Sequence, residues 1–320
     1  MRSAELDYDL PPELIAQRPT AVRDASRLLV CERATGAVRH RAFAELPAEL
    51  GGQLVVVNDT RVVPARLRLR RATGGLVEVL LIERTEGALW QALARPSRRL
   101  RRDEVLEPCG ASPQGSVALV EALGGGRWVV RVEGEPLGEM PLPPYITAPL
   151  DDPDRYQTVF ATKEGSAAAP TAGLHFTPAL LARLDVEWVT LHVGLDTFRP
   201  VTTETLEEHE LHGERYCVEP AAWERIRAAE RVLAVGTTAT RVIETVARTG
   251  ETAGRTELFV TPGFAFRRVD ALLTNFHLPR TTLLALVMAF AGVEETKELY
   301  RLAIRERYRF YSFGDAMLLL

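Results

Sequence analysis

The sequence predicts an α/β protein, with a largely parallel sheet and helices interrupted by a small inserted antiparallel β-barrel. Three observations predict it. Four β-rich apolar runs each end abruptly in polar residues: LVVV (54–57) into NDTR, WVTLHV (188–193) into GLDTFRP, RVLAV (231–235) into GTTATR, and VDALLT (269–274) into NFHLPRTT. Two of these runs lead directly into segments with helical signals. Between Pro64 and about Pro149, by contrast, short alternating runs separated by GG, EG and GGG turns show no helical period.

The 320-residue chain exceeds the roughly 250 to 300 residues at which one hydrophobic core stops growing, so more than one domain is expected. Residues 1–63 and 150–320 form the discontinuous α/β domain, and 64–149 the insert. Within the insert, ARLRLR, LVEVLLIE, LWQALAR, SVALVEAL and RWVVRVE read as barrel strands, and EMPLPPYITAP (139–149) as the return linker. After the third apolar run, Thr237 or Thr238 is placed to cap a helix carrying Val242, Ile243 and Val246. After the fourth, Thr281 or Thr282 caps an apolar run that ends at Gly292, the pattern of a buried helix. The next segment, EETKELYRLAIRERYRF, puts Tyr300, Ala303, Ile304 and Tyr308 on one helical stripe facing a core.

Composition narrows the function. Hydrophobic residues at 46% and charged residues at 26% are ordinary for a globular protein. The apolar run 283–291 is far shorter than the about 20 residues that cross a bilayer, and the N-terminus lacks the apolar core of a signal peptide, so a cytoplasmic protein with no membrane partner is expected. Cys31, Cys109 and Cys217 are widely spaced and odd in number, which argues against a disulfide framework or a thiolate metal cage. The net charge of −4 argues against indiscriminate nucleic-acid binding, yet eleven arginines fall between Arg61 and Arg102 against three glutamates, Glu78, Glu83 and Glu86. Arg66, Arg68 and Arg70 alternate with Leu67 and Leu69 on one strand face, and Arg98 and Arg99 open a second cluster, RRLRR. A solvated strand face is usually mixed in sign; a single-sign stripe fits a polyanion tracked along its backbone.

In open α/β sheets, ligands bind outside the carboxyl ends of the strands. The four polar run ends are therefore expected to share one cleft, bringing together Asn58, Asp59, Thr60 and Arg61; His192, Asp196, Thr197 and Arg199; Thr237, Thr238 and Arg241; and Asn275, His277 and Thr281. Any one polar strand end is more often a turn or cap than a site. Four carrying histidines, arginines and aspartates beside apolar neighbours imply desolvated charge that folding alone does not require. VGTTATR suggests a phosphate cradle but lacks the Walker spacing and lysine, and no G-x-G-x-x-G fingerprint occurs. HELH (209–212) spaces its histidines three apart, whereas H-E-x-x-H needs four, so surface or substrate contact is preferred and no metal is expected. A separate stretch, AAAPTAGLHFTP (167–178), places His175 between Leu174 and Phe176. It reads either as a neutral imidazole base or as a satisfied core histidine.

Laid in order, these segments resemble the S-adenosylmethionine:tRNA ribosyltransferase-isomerase family of queuosine biosynthesis. The likeness runs nearly end to end: DYDLPPELIAQRP (7–19), SRLLV (26–30), VVNDTRVVPARL (56–67), RYQTVFA (155–161), GSAAAPTAGLHFT (165–177), HVGLDTFRPV (192–201), HELHGERYCV (209–218), GTTATR (236–241), LLTNFHLPRTTLLALVMAFAG (272–292) and YRFYSFGDAMLL (308–319). Departures are small. ITAP follows Tyr145 where an arginine is usual, and HGE replaces HSE. The resemblance implies an α/β domain with an inserted barrel and a reaction in which S-adenosylmethionine donates its ribosyl portion rather than its methyl group. The acceptor is 7-aminomethyl-7-deazaguanine at the tRNA wobble position; the product is epoxyqueuosine, and adenine and methionine leave. On this reading S-adenosylmethionine is a substrate, no prosthetic group is needed, and a monomer is expected.

That chemistry needs a base, an acid and exclusion of water. The expected catalytic set is His175, His192, Asp196 and His277, with Asp196 and His192 near the ribose or sulfonium and His277 as second acid or base. Asp59 and Arg61 are expected at the methionine end. Thr171, Phe176, Thr237, Thr238 and Asn275 complete the set around the donor, Phe176 offering a face to adenine or sulfonium, and Asp315 closes the cleft from the C-terminal segment. The arginines 66, 68, 70, 98 and 99 are expected to bind tRNA. The rival readings are a methyltransferase acting on tRNA and a non-catalytic tRNA-binding module.

Overall fold

A computed structural model describes residues 1–109, 115–134, 138–194, 201–209, 211 and 213–320. The chain opens with a hairpin of β1 (Arg27–Glu32) and β2 (Ala37–Ala42), followed by the short α1 (Leu46–Glu49), β3 (Leu54–Asn58) and β4 (Thr60–Val62). Six strands then close into an antiparallel barrel: β5 (Arg66–Arg71), β6 (Leu76–Glu86), β7 (Leu89–Arg95), β8 (Val105–Pro108), β9 (Val117–Gly124) and β10 (Arg127–Val132), in the order β10-β7-β6-β5-β8-β9. The expected alternation is the cause of closure. Leu67 and Leu69 are fully buried while Arg68 and Arg70 face out, and Val77, Val79, Trp90, Leu119, Trp128 and Val130 fill the same interior. Each such side chain contributes roughly 1.5–3 kcal/mol by leaving water.

After the barrel come β11 (Lys163–Ser166), α2 (Pro178–Leu181), β12 (Val186–Leu191), β13 (Glu214–Cys217), α3 (Pro220–Ala228), β14 (Val232–Val235), α4 (Gly236–Thr249), β15 (Ala253–Thr256), β16 (Ala271–Asn275), α5 (Thr282–Ala291), α6 (Val293–Arg305) and β17 (Ala316–Leu319). The main sheet runs β15-β13-β12-β3-β14-β16-β17-β1-β2. Parallel pairing holds at its centre, β12-β3-β14-β16, and again between β17 and β1; the flanks and the β16–β17 junction are antiparallel, so the sheet is mixed. Both faces are covered, as a parallel centre requires: Leu54 and Val56 pack with α4 and α5, and Val55 and Val57 with Phe43 and Phe176.

Helix starts follow local chemistry, with one correction. Thr281 caps α5, accepting from the Leu284 N–H at 3.3 Å, and Gly292 ends that helix. Neither Thr237 nor Thr238 caps α4: the helix begins one residue earlier, at Gly236 with φ +85, which puts both threonines inside the first turn with their hydroxyls free for other partners. The barrel is joined to the sheet through a two-stranded ribbon in which β4 pairs in parallel with β11, Thr60 opposite Lys163.

Candidate active site

At the carboxyl ends of β3, β12, β14 and β16, side-chain amides tie the strands together. Asn58 donates to the Leu191 carbonyl at 3.0 Å and to the Thr238 hydroxyl at 3.2 Å, while its own oxygen accepts from the Leu191 N–H at 3.0 Å. It thereby locks β3, β12 and the first turn of α4 in register. Asn275, at the end of β16, accepts from the Thr171 hydroxyl at 3.3 Å and donates to the Tyr311 carbonyl at 3.1 Å and to His175 Nε2 at 3.2 Å. Because that Nε2 accepts, the His175 proton sits on Nδ1, which faces the Ser26 hydroxyl at 2.7 Å.

His175 is thus engaged at both nitrogens and stacked on Phe43 at 4.9 Å. Burial first, and then the guanidiniums of Arg309 and Arg23, push its pKa down to about 3. It borders a small hollow with Arg23, Arg155 and Ser312, on the far side of Asn275 from the Thr171 hydroxyl. Phe176 is fully buried, edge-on to Phe43 at 5.1 Å, and presents no face to a ligand, which corrects the expectation that it stacks on adenine or sulfonium. Asp315 is corrected likewise: its buried carboxylate accepts the backbone N–H groups of Arg27 and Arg309, each within 2.9 Å, so it pins the chain rather than closing a cleft.

Two cavities meet at the strand ends. The smaller, about 360 Å³ of open space, is lined by Thr171, Thr237, Thr238, Thr274, Asn275 and His277. His277 Nε2 pairs with the Thr274 hydroxyl at 2.7 Å, Nδ1 has no hydrogen-bond partner among the described residues, and burial alone pushes the pKa down to about 3. The larger, about 1040 Å³, lies between the sheet and the barrel and shares Val193 and Leu283 with the smaller.

His192 stands on the wall of the larger cavity. Its Nδ1 pairs with the Thr60 hydroxyl at 2.9 Å; Thr60 in turn reaches the Lys163 carbonyl at 3.4 Å, an arrangement that places the imidazole proton on Nδ1 and leaves Nε2 as an open acceptor. Gly165 makes room for the ring: a Cβ there would sit 3.1 Å from it, and φ of +136 suits only glycine. Burial first, with Arg215, lowers the His192 pKa below 6.5, while Asp59 and Glu83 pull the other way. Asp59 does not line either cavity. Its carboxylate accepts from Thr190 at 2.7 Å and Thr162 at 3.1 Å, close behind His192. Arg61 points outward, 4.0 Å from Glu164. Asp196, Thr197 and Arg199 lie outside the described residues, as does His212; His209 packs edge-on against Phe259.

The arginine stripe is on the outer barrel face as expected, but it does not line the cleft. Arg66 reaches the Leu142 carbonyl and Glu78, Arg68 pairs with Glu139 at 3.0 Å, Arg70 reaches the Gly74 carbonyl, and Arg98 and Arg99 are exposed. The arginines that do line the cleft went unnoticed in the sequence, apart from Arg241: Arg127 on β10, Arg215 on β13 and Arg255 on β15. They sit on separate strands, so no run of charge announces them.

Comparison with known proteins supplies the family. A family model described as "Queuosine biosynthesis protein" matches residues 3–319. The chain is 53% identical to the S-adenosylmethionine:tRNA ribosyltransferase-isomerase of Rubrobacter xylanophilus, across 100% of this chain and 98% of that protein. It is 51% identical to the protein of the same name from Moorella thermoacetica, across 100% of both. Among solved structures, it is similar to the crystal structure of S-adenosylmethionine tRNA ribosyltransferase from Thermotoga maritima, at 39% identity and a TM-score of 0.57, covering 99% of this chain and 100% of that one.

Proposed function

The chain belongs to the queuosine biosynthesis protein family, and from that membership we infer that it is an S-adenosylmethionine:tRNA ribosyltransferase-isomerase. It transfers the ribosyl portion of S-adenosylmethionine to 7-aminomethyl-7-deazaguanine in tRNA, isomerises it, and releases adenine and methionine. S-adenosylmethionine and tRNA act as substrates. We place the reaction in the cytoplasm and the enzyme as a monomer whose residues 64–149 form a separate RNA-facing domain; no helix among the described residues is long and apolar enough to cross a membrane.

The observation that carries the site assignment is the neutral His192 on the wall of the larger cavity, its Nδ1 held by Thr60 and its Nε2 without a hydrogen-bond partner among the described residues. In the proposed mechanism this nitrogen takes the proton from the carbon beside the sulfonium, and the imidazolium formed is stabilised by the Asp59 carboxylate behind it. The hydroxyl-lined smaller cavity, with Thr171, Thr237, Thr238 and Asn275, holds the nucleoside, and His277 Nδ1 faces the departing base. Buried surroundings keep water from the intermediates. His175 serves as a positioning residue: it fixes the Asn275 amide, which in turn orients Thr171. Asp196 is retained as a proposed participant from its place in the HVGLDTFRPV segment. Arg61 is proposed at the outer rim, and Arg66, Arg68, Arg70, Arg98 and Arg99 as a peripheral guide for RNA.

Doubly labelled donor tests this reading. Ribose label entering tRNA while methyl label leaves in methionine, with one adenine released per transfer, supports it. Methyl label in tRNA identifies a methyltransferase, and tRNA binding with no adenine release identifies a binding module.

A further inference from the structure

At the barrel end of the large cavity, three adjacent strands present one polar row. Glu83 on β6 lies opposite Gln91 on β7, and Gln91 Oε1 accepts from Arg127 Nη2, on β10, at 3.0 Å. Across the cavity, Glu83 receives Arg215 at 2.8 Å and Arg255 at 2.9 Å. Arg241 pairs with the neighbouring Glu214, and among the described residues lining the cavity Glu83 is the carboxylate that Arg215 and Arg255 share. Arg127 Nε is enclosed and has no hydrogen-bond partner among the described residues. Arg215 and Arg255 are both half-exposed, and Arg215 is close enough to His192 to lower its pKa.

Fork-shaped donors on both walls, two of them half-exposed, suit a tetrahedral oxyanion. We propose that Arg127, Arg215 and Arg255 form a subsite for a backbone phosphodiester of the RNA beside the target nucleotide, with Glu83 occupying two of the three arginines until the phosphate displaces it. This rests on the functional reading above. The phosphate takes over the positive charge that Glu83 balances in the free protein, and the strand is thereby anchored on both cleft walls, within reach of His192. The outer stripe then acts as a guide, and specific seating happens in the cleft.

The test compares the intact enzyme with Arg127→Gln, Arg255→Gln, Arg127→Lys and Glu83→Gln. The measurements are tRNA affinity across a salt series and S-adenosylmethionine affinity at fixed salt. Each glutamine variant of an arginine weakens tRNA binding about fivefold to twentyfold and lowers the slope of log affinity against log salt by about 0.7, the loss expected for one single-strand phosphate contact. Arg127→Lys retains most of the slope. Glu83→Gln tightens tRNA binding, since the competitor is gone. An unchanged slope in both glutamine variants, or weaker tRNA binding in Glu83→Gln, overturns the subsite and leaves Glu83 as a clasp between barrel and sheet. A loss of donor affinity with tRNA affinity unchanged also overturns it, assigning the arginines to the methionine carboxylate. Ribosyl transfer by the unaltered enzyme is scored separately, so failure of the subsite does not read as failure of the reaction.

Discussion

The two halves of the cavity are built on opposite principles. At the sheet end, polar groups are buried and tied into a network: Asn58 makes three contacts with β12 and α4, Asn275 links Thr171, His175 and Tyr311, and burial keeps both His175 and His277 uncharged. At the barrel end, charge is half-exposed, with Arg215 and Arg255 sharing the Glu83 carboxylate and Arg127 bonded to the neutral Gln91. A satisfied, low-dielectric network fixes geometry for bond making. An under-neutralised one leaves a place for a charged partner to arrive. In the proposed function, the sheet end positions the small donor and the barrel end captures the large polyanion.

The sharpest way to break this contrast is His192→Ala, on the wall of the larger cavity. If the open nitrogen moves a proton, single-turnover adenine release falls about 10² to 10⁴-fold, whereas His175→Gln costs tenfold or less. Equal losses would erase the distinction between proton carrier and support. The pH profile has a definite sign. The His192 pKa is lowered, so its neutral form prevails at pH 7 and the acid limb of the rate lies below 6.5.

A second test concerns stability. The folded pKa values of His175 and His277, about 3 against an ordinary 6.5, mean that the unfolded chain takes up protons first. Their contribution is complete above 6.5 and is lost as pH falls toward 3, at on the order of 1 kcal/mol per pH unit for each ring. Denaturant melts through that window should show His175→Gln with a shallower pH dependence than the parent. An identical slope would mean that the His175 ring titrates normally inside the fold.

The smallest effect is expected outside the cleft. Arg68 already pairs with Glu139 on the solvated barrel face, where such pairs are worth about 0–1 kcal/mol, so Arg68→Gln should change tRNA affinity by no more than about threefold in filter binding. A larger drop would move the RNA footprint onto the outer face.

Much of this was legible in the sequence because periodicity reports burial. ARLRLR gave the barrel strand with its arginines outward, and three of the four abrupt run ends, those carrying His192, Thr237 and His277, line adjoining cavities, whereas Asn58, Asp59, Thr60 and Arg61 line neither. Pairing direction at the flanks was not legible, since alternation is the same in parallel and antiparallel strands. His175 also resisted reading. Its partners Ser26 and Asn275 lie 149 and 100 residues away, so the string Leu-His-Phe says that the ring is buried but not that both nitrogens are engaged. The cleft arginines were hidden for the converse reason: each is a single basic residue on its own strand, and only folding brings them together. The alternation in ERYC and AGRT, which turns Arg215 and Arg255 away from the buried Tyr216 and Thr256, was the one local sign.

The ribbon of β4 and β11 is the neck by which the barrel hangs from the sheet, and the same few residues cradle His192, with Thr60 bonded to one edge of the ring and Gly165 pressed against its face. Together with the Glu83 ion pairs to Arg215 and Arg255, this ribbon links the proposed RNA-facing barrel to the backbone that aims the imidazole. The proposed RNA contact and the proposed proton acceptor thus share one short stretch of backbone.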